Sequence, residues 1–242
     1  MTALVLTMLL CGRALAQTPA ADAQKRYDAG DYTAAATAYA KLAAEQPREP
    51  AWRYDLGNAL FKAGRLGPAV ASYQRAFELA PRDGDAAFNL DFALRRAGEE
   101  LVPAGVPPLI WRAFHWLSAR ELAGLHWLGC WAALLLGAAW LLLENRRAAL
   151  GSWTAGALAL WLCAGAWWGA RSWLEPSALG VVVKATAELR SGPGDNFTVS
   201  FTVPEGRRVE ILSEAADWLE VGLAKEGAKG WVKASDVEKV QP

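Results

Sequence analysis

The sequence predicts a multidomain membrane protein in three parts: an α-helical solenoid, a two-helix transmembrane hairpin and a small all-β barrel. Three observations predict this. Two long stretches, Leu122 to Leu143 and Ala148 to Ala170, hold no charged residue. Ahead of them glycine recurs at a fixed interval, at Gly30, Gly64 and Gly98. Beyond them, from Gly180, short β-type runs alternate with turn signals rich in Pro, Gly and Asp.

Composition narrows the function classes. The chain has 242 residues, with 25 basic and 25 acidic side chains. That balance argues against a nucleic-acid partner, which needs a basic face. Most of the 13 Trp fall between Trp111 and Trp173, as expected where a chain crosses a membrane interface. The 3 Cys form no disulfide framework. Cys130 and Cys163, at similar depth in the two apolar stretches, read as small apolar fillers.

Residues 1–16 read as a signal peptide. Thr2 to Leu10 is apolar, and Ala14-Leu15-Ala16 before Gln17 has the small-x-small form of a cleavage site. No Lys or Arg precedes the apolar run. Cys11 lacks a lipoprotein context.

Residues 20–98 repeat. The interval of the three glycines separates Tyr39 from Tyr73, Ala35 from Ala69, Pro47 from Pro81 and Leu56 from Leu90. Leu56, Gly57 and Leu60 stripe one helix, and Ala69, Tyr73 and Ala76 the next. Small Gly57 and Ala69 allow close approach, and Pro81 ends the second helix. The run Tyr54-Asp-Leu-Gly-Asn-Ala-Leu-Phe-Lys-Ala-Gly-Arg-Leu resembles the tetratricopeptide family, with Trp52 one position earlier than usual. The first unit is weaker, and the third has only its first helix, Asp85 to Ala97, so the array is minimal.

That resemblance implies a concave face that binds peptides or helices. It places Tyr54, Asn58, Phe61 and Lys62 in the groove, followed by Phe88, Asn89, Phe92 and Arg95 or Arg96. Asn58 and Asn89 each carry a donor and an acceptor for a ligand backbone.

Residues 99–120 read as a linker and interfacial helix. Pro103, Pro107 and Pro108 break the solenoid, and Leu109 to Leu117 is amphipathic, with Trp111 and Trp116 expected to sink into the bilayer surface. His115 and His126, at the membrane edge, read as interfacial rather than metal-binding.

Residues 121–171 form the hairpin. Each uncharged stretch makes a helix of about 33 Å at 1.5 Å per residue, enough for a hydrocarbon core of roughly 30 Å. Only Glu-Asn-Arg-Arg separates them, so they run antiparallel. Arg146 and Arg147 mark that short loop as cytoplasmic. Both arms then lie on the other side, which gives a two-pass inner-membrane protein with both soluble modules periplasmic. Gly129-x3-Ala133-x3-Gly137 and Gly165-x3-Gly169 allow close helix approach. The absence of interior charge argues against a transporter.

Residues 178–242 predict five short strands closing a small barrel. Leu189, Val199, Val209, Ile211, Val221 and Val232 are the expected core, with Trp218 and Trp231 at the edge. The pieces Leu189-Arg-Ser-Gly-Pro-Gly, Val203-Pro-Glu-Gly-Arg-Arg-Val, Trp218-Leu-Glu-Val and Gly230-Trp-Val resemble the bacterial SH3 family. That resemblance implies an SH3-like barrel binding cell-wall peptides or protein partners, with Trp218 and Trp231 on its surface.

The order of parts resembles the BatE-type aerotolerance-operon proteins. This implies a periplasmic scaffold working beside membrane proteins with von Willebrand A domains. The competing reading is a cell-wall-associated adaptor whose SH3 domain binds peptidoglycan and recruits a hydrolase. No Ser-His-Asp set, paired-Cys motif, phosphate loop or HExxH is present, so no enzyme, cofactor or metal is expected.

Overall fold

The computed structural model describes residues 18–176, 178–223 and 225–240. The leader with Cys11 lies outside the described residues. Five helices form the solenoid: α1 (Pro19–Asp28), α2 (Tyr32–Glu45), α3 (Pro50–Lys62), α4 (Leu66–Leu79) and α5 (Gly84–Arg96). Thr18, Asp31, Glu49 and Asp83 cap α1, α2, α3 and α5 by accepting backbone N–H groups. Gly30, Gly64 and Gly98, just past α1, α3 and α5, have φ of 79°, 77° and 77°. Only glycine takes that conformation freely, and it is what turns each first helix into the next segment.

The linker helix α6 (Pro108–Phe114) is short. Trp111, which the sequence placed at the bilayer surface, packs in this structure against the solenoid core. It stacks on Phe77 of α4 at 5.6 Å and on His115 at 4.2 Å. Burying an indole against the solenoid satisfies its apolar body without lipid. Leu109 and Trp116 remain exposed.

The two apolar helices are α7 (Ala119–Leu142) and α8 (Arg147–Leu174), joined by a 3₁₀ turn at Glu144–Arg146. Both are long and apolar enough to cross a membrane. They pack directly on each other. A Cβ on Gly129 would lie 3.0 Å from Trp161 Cα, and one on Gly165 would lie 2.9 Å from His126 Nδ1. The first glycine of each small-x3-small pattern thus serves the hairpin itself. Ser118 and Glu121 form a capping box that starts α7. Arg147 folds back on the last carbonyls of α7, donating to Leu141 O at 3.1 Å. Cys130 and Cys163 are free thiols.

Among the described residues the C-terminal part has seven strands rather than five: β1 (Leu179–Val182), β2 (Thr186–Arg190), β3 (Val199–Pro204), β4 (Arg208–Ala215), β5 (Trp218–Leu223), β6 (Ala228–Lys233) and β7 (Val237–Val240). Leu179–Val182 and Thr186–Arg190 are separate strands, and Val237–Val240 adds a last one. All neighbours are antiparallel, in one sheet of order β3-β2-β6-β5-β4-β1-β7. Its end strands β3 and β7 share no ladder among the described residues. Leu189, Val209, Ile211, Val221 and Val232 are buried as expected, but Val199 is 45% exposed. It lies beyond a bulge between Leu189 and Arg190 in the ladder to β2, which carries it away from the core.

The sheet does not hang free of the solenoid. Val181 and Val240 are buried in the same apolar cluster as Val70 and Phe77 of α4. Around this shared core Arg75 bonds Glu238, while Glu99 pairs with Arg207 at 3.0 Å and Arg208 at 2.7 Å. Side-chain periodicity within each module gave no sign of this contact.

Candidate functional site

The first helices of successive units, α1, α3 and α5, line one concave face. Positions four residues apart share a helix face, which places Tyr54, Asn58 and Lys62 in one row and Phe88, Phe92 and Arg96 in the next. The structure brings Tyr54, Asn58, Phe61, Lys62, Phe88, Asn89 and Phe92 together around a concavity of about 380 Å³. Tyr27 of α1 and Tyr73 of α4 complete its lining, two residues that the sequence reading omitted. Tyr73 belongs to a second helix, yet its ring reaches the groove because Gly57 opens the way. A Cβ on Gly57 would lie 2.6 Å from Tyr73 Cδ1.

Hydrogen bonds set the polar floor. Asn89 Nδ2 donates to Asn58 Oδ1 at 3.0 Å and to Tyr54 Oη at 3.1 Å. Tyr73 Oη donates to Asn58 Oδ1 at 2.7 Å. Asn58 Nδ2 and Asn89 Oδ1 take no hydrogen bond among the described residues. One donor group and one acceptor of the pair are therefore left without a partner among the described residues. Burial pushes the Tyr73 hydroxyl well above the ordinary tyrosine range, with the Tyr54 and Tyr27 hydroxyls adding to it, so it stays a donor.

Aromatic and cationic groups flank that floor. The Phe61 and Phe92 ring centroids are 5.7 Å apart, and the Arg96 guanidinium lies 5.5 Å from one and 5.3 Å from the other. Phe88 is 69% exposed. Neither Lys62 nor Arg96 forms an ion pair among the described residues. Arg95, the alternative to Arg96, points elsewhere and pairs with Asp91 at 2.5 Å.

A smaller concavity of about 100 Å³ lies on the β-sheet, lined by Lys184, Glu188, Arg190, Asp195, Trp218, Lys233 and Asp236. Lys233 Nζ lies 2.8 Å from Asp195 and 5.6 Å from the Trp218 ring centroid. Lys184 Nζ lies 3.1 Å from Asp236. Trp218 thus lines a pocket of mixed charge. Trp231 is not in that lining; it stands in β6 opposite Arg190 and Glu220. The sequence put both Trp at the edge, but only strand pairing separates their surroundings.

A titratable cluster lies where solenoid, linker and hairpin meet, and no sequence signal marked it. His115 Nε2 lies 3.1 Å from Glu175 Oε1, and Arg171 Nε donates to that oxygen at 2.8 Å. The His115 environment therefore includes a carboxylate that is remote in sequence. Burial pushes the Glu78 carboxyl up to about 7, nearby Glu175 adds to the rise, and Gln74 opposes it by donating a hydrogen bond.

Comparison with known proteins agrees with the two soluble parts. Residues 20–84 and 54–99 match the tetratricopeptide repeat model, and residues 185–238 match the bacterial SH3 domain model. Tetratricopeptide and bacterial SH3 domains are thus both present. Over 58 residues the chain is 43% identical to the "Putative N-acetylmuramoyl-L-alanine amidase YrvJ" of Bacillus subtilis. That match covers 23% of this chain and 11% of the Bacillus protein.

Proposed function

We propose that the chain is a membrane-anchored periplasmic adaptor that holds an extended segment of a partner protein in its solenoid groove. The observation that carries this is the free pair of Asn58 Nδ2 and Asn89 Oδ1. An extended residue presents a C=O and an N–H that match such a pair. A helix has already used those groups internally. The exposed rings of Phe88 and Phe92 offer apolar contact beside it, and unpaired Lys62 and Arg96 favour an acidic segment. Arg146 and Arg147 in the short loop support a cytoplasmic hairpin tip, hence an inner-membrane protein with both modules periplasmic. The resemblance to aerotolerance-operon proteins supports von Willebrand A-domain membrane proteins as the partners, in a Bat-type complex. We propose no catalytic role, metal or cofactor. Crosslinking the intact protein in native membranes, followed by mass spectrometry, tests this. Capture of von Willebrand A-type proteins through the groove supports the scaffold, and capture of wall fragments alone overturns it.

A second reading has its own support. The similarity to an amidase and the mixed-charge pocket at Trp218 favour a wall-associated adaptor, in which the SH3 domain binds peptidoglycan peptides and the solenoid recruits a hydrolase. A pocket with both signs of charge suits a peptide bearing free amine and carboxylate groups. Sedimentation of the detergent-solubilised chain with purified sacculi tests it. Retention that Trp218→Ala abolishes supports this reading.

A further inference from the structure

Helix α4 stands between the groove and the SH3 domain. On one face Tyr73 donates to Asn58 at the groove floor. On the other, two residues along, Arg75 Nη1 donates to Glu238 Oε1 at 2.5 Å and its Nη2 donates to Lys239 O at 2.5 Å. Val70 and Ala71, earlier in the same helix, are fully buried. Gly67 meets β1 so closely that a Cβ there would collide with the Val182 carbonyl oxygen.

The start of α4 is also incomplete without the SH3 domain. Asp31 caps α2 with its side chain, but its counterpart one repeat later is Arg65, and α4 has no side-chain cap from that position. Glu205, in the turn after β3, takes that role. It accepts the Gly67 N–H at 2.8 Å. A helix left with uncapped N–H groups and an apolar outer face is weakly held, and an array near the minimum of about three units has little to spare.

We infer that the SH3 domain is a positioning element of the peptide groove: its docking holds α4, and through Tyr73 the Asn58–Asn89 pair, in the arrangement a ligand meets. Glu205 and Arg75 are the positioning residues. Their use to a ligand rests on the groove reading above, but the coupling itself does not. The SH3 domain then serves the solenoid whatever its own pocket binds, and the two soluble parts move as one body.

Amide hydrogen exchange of the full chain in lipid nanodiscs tests this without any ligand. In Glu205→Ala with Arg75→Ala, the amides of α4 and α3 are expected to exchange at least tenfold faster, while those of β2, β5 and β6 keep their protection. Adding Arg65→Asp to Glu205→Ala, which restores a local cap, is expected to return protection to the first turn of α4. Unchanged protection of α3 and α4 in the double variant overturns the proposal, and so does loosening confined to the substituted positions. If Asn58→Ala with Asn89→Ala loses no captured partner, the groove reading fails while the exchange result still decides the coupling.

Discussion

Asn89 Nδ2 donates to Asn58 Oδ1 at 3.0 Å across two solenoid units, and this bond decides which half of each amide is left for a ligand. The free donor and acceptor are expected to contribute about 1 kcal/mol each to partner binding, or roughly fivefold in affinity apiece. Asn58→Ala with Asn89→Ala should therefore remove crosslinked partners from native membranes. Retention of every partner by the double variant would sink the groove.

Gly57 is a close-approach glycine, with the Tyr73 ring occupying the space of its missing Cβ. Gly57→Ala is expected to push α3 and α4 apart at a cost of about 1–3 kcal/mol, as overpacking does. Thermal unfolding followed by circular dichroism reads this as a lowered Tm. An unchanged Tm would show that the ring moves aside freely.

Glu78 gives the junction a pH dependence whose sign follows from its burial. Its folded carboxyl is pushed up to about 7, above an unfolded value of 4.5. Stability from this group is fully present below pH 4.5 and is lost as pH rises through about 7. Glu78→Gln should unfold at a higher temperature than the parent at pH 8, and the difference should vanish near pH 4.5. A difference independent of pH would assign the effect to packing.

The topology has its own test. A phosphatase that works only in the periplasm, fused after Pro242, is expected to be active. The same fusion with a cytoplasm-dependent fluorophore should stay dark, and fluorescence there would invert the arrangement drawn from Arg146 and Arg147.

The pocket on the β-sheet is tested through the one tryptophan in its lining. Trp218→Ala opens a surface pocket and is expected to leave the SH3 strands folded while removing the face beneath Lys233. If that variant fails to fold, the pocket is part of the domain core.

Much of the groove was legible from the chain alone, because helix periodicity places Tyr54, Asn58 and Lys62 on one row and the interval between glycines aligns Phe88, Phe92 and Arg96 with them. Tyr73 was missed as a lining residue because it sits on a second helix, and only the gap above Gly57 lets it through. Arg96 could not be told from Arg95 until Asp91 claimed the latter. In the sheet, alternation found Leu189 and Val221, but a bulge moved Val199 out of the core. Strands as short as β7 carry too few residues for alternation to mark them.

By itself the sequence determined the parts and their order: repeat periodicity, two uncharged helix-length stretches, and short strands between turns. Each rests on a local rule, the recurrence of side chains along one helix or strand. What only the tertiary structure decided is how the parts meet. Glu205 capping a helix that begins at Leu66, Trp111 stacked on Phe77, and His115 beside Glu175 join residues far apart in the chain. No periodicity links such residues, because their contact arises from the packing of whole faces that each module leaves uncovered.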